Sequence, residues 1–151
     1  MNMFGKKYYS ANSTIYVGDL MRDNILDGRF RGMAIKLSLV NGDVLEGVVD
    51  DVAKYELGLR VKDSLYIVFR HSITYLEIGA SELHGERREE LEDTLLTNDL
   101  VGLDVSMLLV NGVRIRGRLM KVSRYELGLR CDDRGFIVPK SSIIYVELPK
   151  I

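Results

Sequence analysis

A chain of 151 residues with 21 Lys and Arg against 22 Asp and Glu carries a formal charge of −1, so it lacks the overall basic excess of a typical nucleic-acid binder. One Cys excludes an intrachain disulfide, and with only two His beside it the chain cannot build a four-ligand structural zinc site. No apolar run approaches the ~20 residues that a membrane helix needs.

The N-terminal arm, residues 1–18, mixes Lys6 and Lys7 with Tyr8, Tyr9 and Tyr16. The lysines are not followed by the apolar run of a secretory signal, and the expectation is a soluble cytoplasmic protein. Asp19 to Leu26 reads as a short helix. Ile35, Leu37 and Leu39 then alternate with Ala34, Lys36 and Ser38, the period of a half-buried strand. Asn41-Gly42, a strong hairpin signal, turns the chain into a second strand, Val44 to Asp51. Gly47 inside that strand marks a bend or bulge. Tyr55, Leu57 and Leu59 share one parity on a third strand. Lys62-Asp63-Ser64 is a turn, Leu65 to Arg70 a fourth strand and Ile73 to Ile78 a fifth. The linker 79–102 is rich in Glu and Arg, and Leu83, Leu91, Leu95 and Leu96 recur in it at helix-like spacing.

The whole scheme then repeats at an offset of 70 residues without a gap. Leu39-Val40-Asn41-Gly42 returns as Leu109-Val110-Asn111-Gly112, and Tyr55 to Arg60 returns intact as Tyr125 to Arg130. Ile67-Val68, Ser72-Ile73, Tyr75 and Glu77 return as Ile137-Val138, Ser142-Ile143, Tyr145 and Glu147. Gly117 repeats Gly47, and the second unit turns at Asp132 to Gly135. Two copies are too few for a solenoid, so each unit is expected to have its own core. The expectation is an all-β protein of two strongly bent five-stranded antiparallel barrels, each preceded by a short helix. The domains would be 19–78 and 79–151, the second including the acidic linker.

Charge is segregated along the chain. Residues 33–78 hold 5 basic against 7 acidic side chains, residues 79–102 hold 2 against 7, and residues 103–148 hold 8 against 5. Arg114, Arg116 and Arg118 alternate with Ile115, Gly117 and Leu119, so they share a strand face; unit one has Val44, Glu46 and Val48 there. Such a stripe suits phosphates or base faces, or is simply a solvated strand face.

The ordered set Leu39-Val40-Asn41-Gly42, Gly47, Lys54-Tyr55 and Ile67-Val68-Phe69-Arg70-His71-Ser72-Ile73 resembles Hfq, a branch of the Sm-like (LSm) superfamily, and it occurs twice, as a tandem duplication. Leu57 and Leu127 stand where eukaryote-like Sm proteins usually carry Asn, which favours the Hfq side. The resemblance implies bent barrels joined by pairing strand four of one with strand five of the next, closing a ring that binds single-stranded RNA. It implies a uridine pocket on one ring face and purine-rich binding on the other. Carried onto this sequence, unit one's pocket comprises Lys54, Tyr55, Phe69, Arg70 and His71. Base stacking on Tyr55 suits the physics, as does an Arg fork on phosphate, although the parity of Tyr55 and Tyr125 with Leu57 also fits a core position.

Unit two keeps Arg124 and Tyr125 but has Pro139-Lys140-Ser141 in place of Phe69-Arg70-His71. Lys140 remains for a phosphate, while Pro139 lacks a ladder donor. Three chains would then form a pseudo-hexamer. His84 reads as a solvated linker residue, and the pairs Asp50-Asp51 and Asp132-Asp133 as turn chemistry. No phosphate loop or nucleophile-base set is evident, so no enzyme, cofactor or metal is expected. The rival expectation is a structural or protein-assembly module that recruits partners by strand pairing.

Overall fold

The computed structural model describes residues 24–83 and 91–149. The N-terminal arm, most of the expected helix at 19–26, and His84 lie outside these residues. Unit one contributes β1 (Ala34–Leu39), β2 (Val44–Val52), β3 (Glu56–Val61), β4 (Ser64–Phe69) and β5 (Ile73–Glu77). Unit two repeats them as β6 (Asp104–Leu109), β7 (Arg114–Val122), β8 (Glu126–Cys131), β9 (Arg134–Pro139) and β10 (Ile143–Leu148).

The β1–β2 turn forms as its Asn-Gly predicts. Gly42 takes φ 92°, where an L side chain is strained. Asn41 Oδ1 accepts the Asp43 N–H at 3.0 Å. The nine residues of β2 serve two partners, pairing through Val44–Val48 with β1 and through Val48–Val52 with β3. A register shift between Val49 and Asp51 breaks the second ladder, the place where a strand bends. At Gly47 an added Cβ would collide with the Arg60 carbonyl, so glycine is required by the close approach of β3.

The strands form one antiparallel sheet ordered β5-β1-β2-β3-β4-β10-β6-β7-β8-β9. This corrects the expected pair of separate barrels. Within neither unit does the fourth strand pair with the fifth; instead β4 pairs with β10, matching Val68 with Tyr145, Ile67 with Val146, Tyr66 with Glu147 and Leu65 with Leu148. The pairing of strand four in one unit with strand five in another is therefore present inside the chain.

The cores cross the repeat boundary accordingly. Ile35, Leu37, Leu39, Val49, Val52, Leu57, Leu59 and Val68 form the first core, and Leu108, Ile144 and Tyr145 of unit two join it. Leu65, Ile67 and Phe69 of unit one are buried in the second core with Val105, Met107, Leu119, Leu127 and Leu129. Alternate side chains of β4 thus enter opposite cores, as the period of two requires. Each unit completes its neighbour.

Of the expected helices, most of 19–26 and residues 84–90 of the linker lie outside the described residues; among the described residues only 3₁₀ turns occur, with Gly28–Phe30 before β1 and Asn98–Leu100 before β6. The linker leucines do not share a helix face, since Leu91 packs on the first core while Leu95 and Leu96 pack with the second. Backbone groups that a helix would consume are bonded elsewhere: Glu92 O accepts from Lys54 N at 2.9 Å, and Leu95 N donates to the Glu56 carboxylate.

Candidate functional site

The β2–β3 connection carries Tyr55 and the turn after β4 carries Arg70 and His71, and one backbone bond, Arg70 N to Tyr55 O at 3.0 Å, ties them together. Tyr55 lies just before β3, in a bend rather than in the ladder. The strand parity that would make it a core residue therefore does not apply to it. Tyr55 is 60% exposed and Tyr125 69% exposed, whereas Leu57 and Leu127 are fully buried. Two tyrosine rings are thus held in solvent, available for stacking.

Both belong to one cavity of about 740 Å³ between the units. Unit one lines it with Tyr55, Glu56, Phe69 and His71, and unit two with Arg124, Tyr125 and Lys140. The linker adds Asp93, Thr94, Leu96, Thr97 and Asn98. Phe69 is buried and stacks on the His71 ring, with centroids 5.4 Å apart. His71 Nε2 lies 3.0 Å from Ile143 O; a carbonyl only accepts, so this nitrogen carries the proton and Nδ1 is the acceptor in the neutral ring. The Arg124 guanidinium covers the Tyr125 face at 5.3 Å, a cation–π contact. Lys140 is partly buried here, which lowers its pKa from the ordinary lysine value, while Glu56 opposes that shift by stabilising the ammonium.

Two of the expected pocket residues are used differently. Arg70 turns inward: its Nη2 donates to Leu26 O at 2.7 Å and Ala53 O at 2.9 Å, and its Nε to Ala53 O at 3.1 Å. Burial lowers its pKa, with Asp27 opposing. Arg70 ties the segment before β1 to the β2–β3 turn and does not line the cavity. Lys54 lies beside the cavity, its Nζ 3.3 Å from Asp93 Oδ1.

The arginine stripe is divided. Arg114 is spent at the joint between the units: its Nη2 donates to Tyr145 Oη at 3.1 Å, its Nη1 to Ser106 Oγ at 3.3 Å, and Glu147 lies 4.0 Å away. The bond to Tyr145 raises the Arg114 pKa. Tyr145 in turn meets Tyr66 of β4 edge to face, with centroids 4.9 Å apart. Arg116 and Arg118 remain on the exposed face of β7, with Arg118 Nε 3.7 Å from Asp104.

Sequence reasoning missed Glu56 and the linker residues Asp93 to Asn98. Glu56 is 1% exposed, whereas its repeat Glu126 is exposed, and identical local sequences around both carry no signal of that difference. The only hint is Thr94 following Asp93, a residue pair that favours irregular backbone over helix.

Among the described residues, no helix is long and apolar enough to cross a membrane, and no group of three or more His, Cys, Asp or Glu is placed to hold a metal ion. No protein-family model matches the sequence.

Proposed function

We propose that the protein binds single-stranded, uridine-rich RNA without catalysis, as a tandem Sm-like chain of the Hfq type whose open five-stranded units assemble side by side into a ring. The observation that carries this reading is the shared cavity: two exposed tyrosines, a stacked Phe69–His71 pair and the cations Arg124 and Lys140 line one cleft. Exposed rings take bases of any kind for about 1–3 kcal/mol each. The cations suit the phosphates between them.

Assembly follows the internal joint. Among the described residues the sheet ends in two unpaired edges, β5 and β9, which are the repeats of β10 and β4. Ile67 on β4 is 2% exposed under β10, while its repeat Ile137 on β9 is 75% exposed. Beside β5 lies a cleft of about 460 Å³ lined by Ile25, Leu26, Phe30, Leu76 and Ile78, placed to receive such a side chain from a second copy. Pro139 is not an obstacle, because the template ladder ends at Val68, one residue before its repeat position, Phe69. Three chains supply the six units of a closed ring.

Fluorescence anisotropy with labelled oligo-U and oligo-A, on protein whose assembly has been verified, tests the reading. Wild type should prefer oligo-U, and Tyr55→Ala/His71→Ala should weaken it by roughly tenfold or more, as expected for the loss of one stacked base. Unchanged affinity in that variant removes the site. Absence of salt-sensitive binding in wild type removes RNA binding, and then favours the second reading, a protein-assembly module that uses the free β5 and β9 edges.

A further inference from the structure

At the far end of β8 from Tyr125 lies a second cavity, of about 400 Å³, lined by Arg116, Arg118, Arg130 and Met120 together with Asp104 and Asp132. β8 runs from Glu126 to Cys131, with Tyr125 before it and Asp132 after it. At ~3.3 Å per residue this places the two cavities roughly 20 Å apart.

The arrangement is unfavourable for the empty protein. Arg118 of β7 and Arg130 of β8 are directly opposed in the ladder, and like charges so placed repel. Arg116 follows on the same face at i−2, a further like charge about 7 Å along the strand. The compensation is slight: Asp104 lies 3.7 Å from Arg118, Arg130 Nε donates to the Asp132 carbonyl at 2.9 Å, and among the described residues no ion pair engages Arg116.

Unit one avoids this at each position. Arg60, the repeat of Arg130, pairs with Asp50 at 3.1 Å, and unit two has Met120 in place of that carboxylate. Glu46, the repeat of Arg116, lies 3.9 Å from Lys36, and unit two has Ser106 in place of that lysine. Val48 stands where unit two has Arg118. Met120 thus leaves Arg130 without the carboxylate that Arg60 has, and the Lys36–Glu46 ion pair of unit one gives way to Ser106 and Arg116, a cation with no opposite charge in the matching place.

We infer that Arg116, Arg118 and Arg130 form a phosphate cradle, one per chain, that holds the backbone of a polynucleotide irrespective of base and apart from the tyrosine cavity. The ligand class rests on the RNA reading above, but the residues are different ones. Guanidinium forks match phosphate oxygens two at a time, and the spacing of alternate residues on a strand suits successive phosphates of an extended chain. Among the described residues no aromatic side chain lines the cradle, so it lacks the stacking rings of the tyrosine cavity. Arg114 is excluded, because the inter-unit joint holds it.

The test is a titration of labelled oligo-U and oligo-A of equal length from about 50 to 200 mM salt. Arg116→Gln/Arg118→Gln/Arg130→Gln should weaken both probes by the same factor, at least about tenfold at low salt. It should also reduce the log–log salt slope by about 2, the value for three phosphates on a single strand. Glu46→Arg/Val48→Arg/Asp50→Met, which rebuilds the cradle in unit one, should strengthen both probes and steepen the slope. Unchanged affinity and slope in the first variant overturn the cradle, and so does a loss confined to one probe, which would mean base reading. If the cradle variant weakens binding while Tyr55→Ala/His71→Ala does not, the cradle stands and the tyrosine site falls. A wild type that binds neither probe removes both.

Discussion

The hydroxyl of Thr94 lies between the two carboxylate oxygens of Glu56, at 2.7 and 2.8 Å. Through this contact, the linker is seated on the third strand of unit one and becomes a wall of the inter-unit cavity. Leu95 N donates to the same carboxylate, Leu95 packs over Gly58, and Leu96 is buried in the second core.

Glu56→Ala should therefore leave the Leu95 N–H and the Thr94 hydroxyl proton without an acceptor, while Thr94 Oγ1 still accepts from Leu96 N, and lower stability by about 2–3 kcal/mol. Glu126→Ala, at the exposed repeat position, should stay within about 0.5 kcal/mol of wild type. Urea unfolding compares the two. Limited proteolysis should also cut the linker of Glu56→Ala faster than that of wild type, since its seat is lost.

Gly47→Ala and Gly117→Ala should each cost about 2 kcal/mol by thermal or urea unfolding. An added Cβ meets the Arg60 carbonyl in the first case and the Arg130 carbonyl, at 2.7 Å, in the second. Backbone must move to admit either methyl group. Wild-type stability in both variants would show that the strands approach less closely than described.

The strands were legible because their signals are local. The apolar alternation of Ile35, Leu37 and Leu39, the Asn-Gly turns and the interior glycines Gly47 and Gly117 each act within a few residues. What escaped depends on distant partners. Tyr55 shares sequence parity with Leu57 yet lies outside the ladder, because the β2–β3 bend resets the alternation. Leu91, Leu95 and Leu96 have helical spacing, but they answer to two cores and to Glu56. Arg70 has the composition of a ligand contact and is drawn inward by two carbonyls 44 and 17 residues away. The pairing of β4 with β10, which merges two units into one sheet, joins segments nearly 80 residues apart and has no local signature; the family resemblance alone implies strand four against strand five of another unit.

The internal register predicts the contact between copies. Val146 faces Ile67 across the β4–β10 ladder, so Leu76 should face Ile137 of a neighbouring chain. In a Cys131→Ser background, Leu76→Cys/Ile137→Cys should form an interchain disulfide on oxidation, because facing residues have Cα atoms within bridging range. Tyr75→Cys/Ile137→Cys, one residue out of register, should bridge much less. Non-reducing electrophoresis reads both, and monomers alone would reject the assembly.

Tyr66 should ionise above the usual tyrosine range. Burial raises its pKa, followed by the Glu147 charge, while Arg114 opposes. The folded state thus holds this proton more tightly than the unfolded chain. The associated stability is complete below the usual tyrosine pKa of about 10 and is lost as pH rises through the higher folded value. Arg114→Ala should push the Tyr66 ionisation higher still and loosen the joint. Ultraviolet titration of phenolate absorbance, with Tyr66→Phe to assign the transition, checks the direction.

Two unequal units covalently fused into one sheet, with β5 and β9 as its borders, impose a rule of parity on the proposed ring. Any closed assembly made through those borders contains an even number of units, strictly alternating, with every odd count forbidden by the chain itself. Mixed subunit order needs no sorting step, because the linker has already fixed it.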